Sequence, residues 1–369
     1  MTWMGVQDAL ARSPEVAFRG RLRFSFDAMP LVADGLSLSK RLNLMRCGVD
    51  ALLPAGRAFG LPPAIQIEPT NVCNLRCPLC PTGSGSSRRK SGFMPLGTFR
   101  QIIRELEDAL VSVILYGWGE PFLNRDLAQM IRHCSERGIL TATSTNGHFL
   151  QSVEQALRVV DAGLRAIVIA VDGSSQQTYE VYRKSGSVQK AQRCAAMIEE
   201  AKARRNSPIP YTNLRAVATR GNEQDLANLE QLAREMGVNM FSFKSLGGLS
   251  QAEDLEDYMP LDPHLRRYEY RGQVRQRKAS VQCPYPFRQP TVFWDGTIVG
   301  CEFDYDLEAP WGRFGEQPFH RIWNSRQAVR LRRAIRCRQG RPGFCARCPY
   351  QDRTADSCVL HRVELRPAT

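Results

Sequence analysis

The segment Ala64-Ile-Gln-Ile-Glu68-Pro-Thr-Asn-Val-Cys73-Asn-Leu-Arg-Cys77-Pro-Leu-Cys80 decides how the rest of the chain is read. Ala64–Glu68 is a short apolar run and reads as a strand. The loop directly after it carries three cysteines, spaced C-x3-C-x2-C. The texture before this segment differs from the texture after it. Residues 1–60 mix basic and apolar residues and read as a helical extension. After Glu68, short apolar runs alternate with longer amphipathic stretches.

Leu96–Glu107 reads as a helix and Val111–Tyr116 as a strand. Leu127–Arg137 reads as a helix closed by Gly138, and Leu140–Ser144 as a strand. Gln151–Asp161, Val188–Arg204 and Glu223–Met236 read as helices. Ala166–Val171, Tyr211–Thr219 and Met240–Lys244 read as strands. Six strand signals with helices between them imply right-handed βαβ units, a parallel sheet and an α/β class. Ligand sites in such sheets gather at the carboxyl ends of the strands, and the three cysteines stand at one.

The chain has 369 residues and is 43% hydrophobic, enough for a substantial core. No run approaches the roughly 18 apolar residues of a membrane span. The first residues lack the apolar core and small-residue cleavage site of a secretory signal. A cytoplasmic protein is expected. Lys and Arg exceed Asp and Glu by 50 to 37, giving a net charge of +13. That bias suits an anionic partner or is a basic surface only. The basic stretches 265–278 and 321–341 lack the aromatic spacing of a single-strand stacking platform, so nucleic acid is not favoured. A basic N-terminus touching a membrane stays open.

Twelve cysteines are the most informative bulk feature. In a reducing compartment, clustered cysteines point to metal or catalysis. Cys73, Cys77 and Cys80 form one group, and Cys283, Cys301, Cys345, Cys348 and Cys358 a second. Cys47, Cys134, Cys194 and Cys337 are scattered, and Cys134 and Cys194 read as buried helical thiols. Three thiolates suit a soft metal. Structural zinc wants four ligands, and no fourth Cys or His lies near the first group. Two readings follow: an iron–sulfur cluster with one open iron, or zinc completed from a distance.

The triad resembles that of the radical S-adenosylmethionine (SAM) superfamily in spacing, in its place after the first strand and in the apolar Leu79. The resemblance implies a partial (β/α)6 TIM-like barrel at residues 61–250. It also implies a [4Fe–4S] cluster held by Cys73, Cys77 and Cys80. Its open iron would bind SAM, and electron transfer to the sulfonium would release a 5′-deoxyadenosyl radical that takes hydrogen from a substrate. An electron donor such as flavodoxin or ferredoxin is implied as well. Gly117-Trp118-Gly119-Glu120-Pro121 is similar to the family's Gly-Gly-Glu stretch, with Trp118 in place of a glycine. There the glycines would let backbone approach a ligand, and Glu120 would accept from the SAM ammonium. Ser144 and Asn146 look like the ribose- and carboxylate-contacting position. Asp172-Gly173 with Tyr182-Arg183 resembles the Asp-Gly…Arg pattern, in which Arg reaches the SAM carboxylate. On the residues alone, Asn146 could be a turn former and Arg183 a solvated helix charge.

In the second group, Cys283, Gly296, Cys301 and Cys345-x2-Cys348 follow the pattern C-x12-G-x4-C…C-x2-C, and Phe293–Thr297 reads as a hairpin turn. The pattern is similar to the SPASM or "twitch" auxiliary-cluster domain, a small cysteine-rich C-terminal domain at residues 281–369, reached by a connector at 251–280. His320-Arg-Ile-Trp323-Asn-Ser resembles that domain's usual link to its helix. Thr354 stands where the fuller pattern has another cysteine. Separations of 18 (283 to 301), 44 (301 to 345) and 3 (345 to 348) resemble the single-cluster dehydrogenase of butirosin biosynthesis. The resemblance implies one auxiliary [4Fe–4S] on Cys283, Cys301, Cys345 and Cys348, with Cys358 as a substitute ligand or a plain thiol. Four thiolates would also suit zinc.

The expected activity is therefore hydrogen abstraction from a small anionic or hydroxylated molecule: a sugar, nucleotide or aminocyclitol. The auxiliary cluster would accept an electron if the outcome is oxidation. A peptide maturase, or a redox-neutral epimerase, lyase or decarboxylase, is the alternative. Glu302, Asp304 and Asp306 are candidate acid–base groups or a solvated acidic loop, and none is assigned a catalytic role.

Overall fold

The computed structural model describes residues 14–52, 56–247, 256–267, 269–271, 274–276, 283–348 and 358–367. Within the region expected to be helical, the described residues 22–33 depart from that reading. A hairpin, β1 (Leu22–Phe26) and β2 (Met29–Ala33), precedes the helix α1 (Leu38–Leu52). A two-residue hairpin turn needs positive φ at both central positions and usually shows Asn-Gly or Asp-Gly. Here Asp27 (φ 52°) and Ala28 (φ 68°) adopt it, and an alanine in the turn hides the signal.

The barrel follows as β3 (Ala64–Ile67), α2 (Leu96–Leu106), β4 (Ser112–Leu115), α3 (Leu127–Ser135), β5 (Leu140–Thr145), α4 (Val153–Asp161), β6 (Ala166–Ala170), α5 (Gln176–Glu180), α6 (Val188–Arg205), β7 (Tyr211–Ala218), α7 (Leu226–Met236) and β8 (Met240–Ser245). The six strands β3 to β8 pair in sequence order, all parallel. β3, β4 and β6 are buried along their whole length, which is why they read as unbroken apolar runs. α2 buries Phe99, Ile102, Ile103 and Leu106, one face of a 3.6-residue period. Gly138 and Gly237 take left-handed φ of 60° and 68° as helix stops.

Successive strand residues serve two cores. Ile65, Ile67, Val113, Leu115, Ile167 and Phe241 join the core shared with the helices. Ile114, Ala142, Ala166, Val168, Tyr211 and Met240 instead pack with Phe26, Ala28 and Met29 of the hairpin. Three of them, Ala166, Tyr211 and Met240, are the first residues of their strands, so the hairpin packs against the amino-terminal side of the sheet. Its turn residue Asp27 pairs with Arg215 of β7 and, at 2.6 Å, with Lys244 of β8. These two are the sole charged residues in β3–β8.

The C-terminal residues extend the same sheet. After a small ribbon, β9 (Glu269–Arg271) and β10 (Val274–Gln276), come α8 (Tyr285–Arg288), β11 (Thr291–Val292), β12 (Thr297–Val299), β13 (Gly312–Arg313), α9 (Phe319–Trp323), α10 (Arg326–Cys337), α11 (Gly343–Arg347) and β14 (Val359–Glu364). β11 pairs parallel with β3, and β12 and β13 continue antiparallel; β14 pairs antiparallel with β8 at the opposite edge. Both edges of the barrel sheet are thereby covered. The expected boundary at residue 281 and much of the connector lie outside the described residues. Among the described residues, no helix is long and apolar enough to cross a membrane.

Candidate active site

The Cys73–Cys80 loop leaves β3 at its carboxyl end and folds tightly. The Cys80 N–H donates to the Cys77 carbonyl at 3.2 Å, and the Leu75 N–H points at the Cys73 sulfur at 3.4 Å. Gly83 closes the loop, where a Cβ would meet the Cys77 nitrogen and carbonyl oxygen at 2.5 Å. Leu79 is buried with Leu246, against Tyr182, Val217 and Tyr258. Cys77 is buried; Cys73 and Cys80 are partly so. Burial raises all three thiols, Cys73 to about 12, and their mutual repulsion adds to the rise at Cys73 and Cys77. Such thiols need a positive centre to ionise, and metal binding would release their protons. A glycine-tightened loop that carries three cysteines, with no fourth ligand nearby in sequence, suits a three-cysteine cluster by donor chemistry, although the three sulfurs do not form a metal-holding group here.

Three other strand ends meet this loop. Glu120, after β4, is 2% exposed. It accepts from the Asn146 N–H at 2.8 Å, the Thr145 hydroxyl at 2.8 Å and the Phe122 N–H at 3.2 Å. Burial lifts its pKa to about 7 against these donors. A carboxylate has about four acceptor positions, so one remains for a ligand cation. Gly117 and Gly119 both pack against the chain. A Cβ at 119 would lie 2.3 Å from the Thr70 carbonyl oxygen, and one at 117 would lie 2.9 Å from Glu68.

At the end of β5, the Asn146 amide donates to Asn74 at 2.8 Å and lies 3.8 Å from the Cys73 sulfur. Asn146 is therefore more than a turn former. Its carbonyl pairs with His148 Nδ1 at 2.8 Å, while His148 Nε2 accepts the Ser187 N–H; Nδ1 therefore carries the proton. Ser144 aligns with Val168 and is half-buried. Its neighbour Thr145, on the other strand face, is the one that reaches Glu120.

Beyond β6, Asp172 is fully buried. Its oxygens are taken by the Val217 N–H at 2.7 Å and by Arg183. The Arg183 guanidinium also lies 3.8 Å from the Cys77 sulfur. Burial works against its charge, but Asp172 and then Cys77 outweigh it and hold its pKa above the ordinary arginine value. Arg183 is thus an inward cation beside the cysteine loop, not a solvated helix charge, and Asp172 positions it.

The thiols of the second cysteine group influence one another. Burial first, then the neighbouring thiols, raise Cys283, Cys301 and Cys345: Cys283 through Cys348 and Cys345, Cys301 through Cys348 and Cys283, Cys345 through Cys348. Four cysteines that influence one another electrostatically would suit an auxiliary iron–sulfur site or zinc, although among the described residues no three metal-ligating side chains stand in a metal-holding group. Cys358 is fully buried at the entrance to β14, where its carbonyl accepts the Ser245 hydroxyl at 3.2 Å.

The acidic residues after Cys301 part company. Glu302 reaches Gln66 of β3 at 2.7 Å. Asp304 is buried and accepts the Glu308 and Ala309 N–H groups, while Asp306 accepts the Arg88 N–H at 3.2 Å. Sequence reasoning missed Thr145, His148 and the Glu68–Arg89 pair, bidentate at 2.7 and 2.8 Å. Strand alternation could have flagged Thr145. Nothing local marks Arg89.

A family model described as the radical SAM superfamily matches residues 67–238, and one for SPASM, an iron–sulfur cluster-binding domain, matches residues 283–349. The chain is 22% identical over 317 residues to an AdoMet-dependent heme synthase of Methanosarcina barkeri, covering 77% of this chain and 88% of that protein. It is 33% identical over 118 residues to a PqqA peptide cyclase of Rhodopseudomonas palustris, spanning 31% of this chain and 30% of the relative. Among solved structures, Streptococcus suis SuiB bound to S-adenosylmethionine matches with TM-score 0.59 at 13% identity, over 78% of this chain and 71% of that one. Native anSMEcpe with bound AdoMet matches with TM-score 0.57 at 16% identity, over 80% and 92%. The chain belongs to the radical SAM superfamily, and its cofactors are SAM, the SAM-binding [4Fe–4S] cluster and auxiliary iron–sulfur in a C-terminal SPASM domain.

Proposed function

We propose that Cys73, Cys77 and Cys80 hold the SAM-binding cluster, and that Glu120, Asn146 and Arg183 grip SAM beside it. One arrangement supports this reading: the ends of β4 and β5 and the Arg183 segment after β6 all arrive at the cysteine loop. When bound, the cluster and SAM supply a 5′-deoxyadenosyl radical. Glu120 keeps one acceptor position for the SAM ammonium. Arg183, steadied by Asp172, faces the SAM carboxylate, and Asn146 fixes the loop between them. Leu79 and Ser144 complete the lining. Cys283, Cys301, Cys345 and Cys348 hold one auxiliary [4Fe–4S].

The proposed substrate is a small anionic or hydroxylated molecule bound inside the barrel. The support is the net charge of +13, which suits an anionic partner, and the polar Gln66–Glu302 pair that joins β3 to the segment after Cys301. Oxidation, with the auxiliary cluster as electron acceptor and flavodoxin or ferredoxin as donor to the SAM-binding cluster, is the favoured outcome over a redox-neutral one. A peptide substrate is the second reading, favoured by the similarity to a PqqA peptide cyclase. Deoxyadenosine formation tests both. A peptide-free metabolite extract should stimulate it under reducing, anaerobic conditions; stimulation by a precursor peptide alone would select the maturase.

A further inference from the structure

Trp118 stands two residues before Glu120, where a small residue would fill the turn, and its contacts leave the barrel. Its backbone N–H points at Glu68 Oε1 at 3.3 Å. Its indole N–H donates to the Glu302 carbonyl at 2.8 Å. Its ring meets Phe303 and Tyr305 edge-on, with centroids 5.8 and 5.4 Å apart. Glu302 directly follows Cys301. One side chain therefore ties the Glu120 loop to the segment leaving an auxiliary cysteine.

Glu68 makes a second tie. Fully buried, it binds Arg89 bidentately, and its Oε2 faces the Trp294 N–H at 3.4 Å. Arg89 in turn lies 3.8 Å over the Phe293 ring. Trp118 is thus held from below by a carboxylate that also contacts the turn between β11 and β12.

We infer that Trp118 is a positioning residue that couples occupancy of the SAM site to the conformation of the auxiliary segment 301–305. The inference rests on the proposed SAM site. Coupling between two sites is reciprocal, so disturbing the auxiliary side must change SAM affinity. Plain packing glue would lower stability and leave that affinity alone.

The test is a double-mutant cycle on SAM affinity, measured by anaerobic equilibrium dialysis with the reconstituted full chain. Y305A lies outside the SAM loop and should weaken SAM binding about fivefold or more, the lower end of typical couplings. W118G should weaken it similarly, and the double variant no further than W118G. Unchanged affinity in Y305A, or effects that multiply in the double variant, would overturn the inference. Iron content of each variant guards against a collapsed domain. If W118G does not fold, W118F keeps the ring edges and removes the indole donor; Y305A should then weaken SAM binding less in the W118F background than in the wild type, and an equal loss in both backgrounds would overturn the inference. Failure of the SAM-site proposal itself would show separately, as wild-type protein that does not bind SAM.

Discussion

The Asn146 backbone N–H donates to Oε2 of Glu120 at 2.8 Å, while the same residue's amide lies 3.8 Å from the Cys73 sulfur. Glu120 and the cysteine loop are therefore registered through one residue at the end of β5. Glu120→Gln sets an NH2 group against donors and removes the charge. It should weaken SAM binding about tenfold to a hundredfold, since a hydrogen bond to a charged group contributes about 1.5–3 kcal/mol. Equilibrium dialysis reads this; an unchanged affinity would remove Glu120 from the site.

Thr145→Val deletes the hydroxyl that donates to the buried Glu120 at 2.8 Å. Loss of one donor to a buried carboxylate should cost about 1–2 kcal/mol. Denaturant unfolding of the metal-free chain would show it as a lowered midpoint at constant slope. A neutral result would mean that the remaining donors suffice.

Asp27→Asn should be the most destabilising of these changes. The carboxylate faces Arg215 and Lys244, with side-chain exposures of 10%, 13% and 12%. Removing one member of a buried charge group costs about 3–5 kcal/mol, because the partners stay desolvated. Exposure is low enough that solvent screening discounts this only modestly. A loss under about 1 kcal/mol would mean that the hairpin is only loosely seated.

Anaerobic reconstitution should give about eight irons and eight sulfides per chain, four for each four-iron cluster. Cys348→Ala should reduce both to about four. Four in the wild type, with zinc present, would replace the auxiliary cluster by a structural zinc site.

The barrel was legible because each of its elements is local. β3, β4 and β6 are continuous apolar runs, and Gly138 and Gly237 mark helix ends. The cysteine spacing was equally local. What escaped depends on distant partners. β14 is a strand only because β8, more than a hundred residues earlier, offers an edge. The hairpin turn uses Asp27-Ala28, held by residues of β7 and β8. Glu68 and Arg89 matter through a bond across a loop, and the indole at Trp118 makes sense only beside Glu302–Tyr305.

The central claim is that Cys73, Cys77 and Cys80 serve reductive SAM cleavage. Its most direct test is 5′-deoxyadenosine formation by reconstituted Cys77→Ala beside the wild type, with a strong reductant and no substrate. The account predicts slow uncoupled formation in the wild type and none above background in the variant. Formation at the wild-type rate in Cys77→Ala would contradict it.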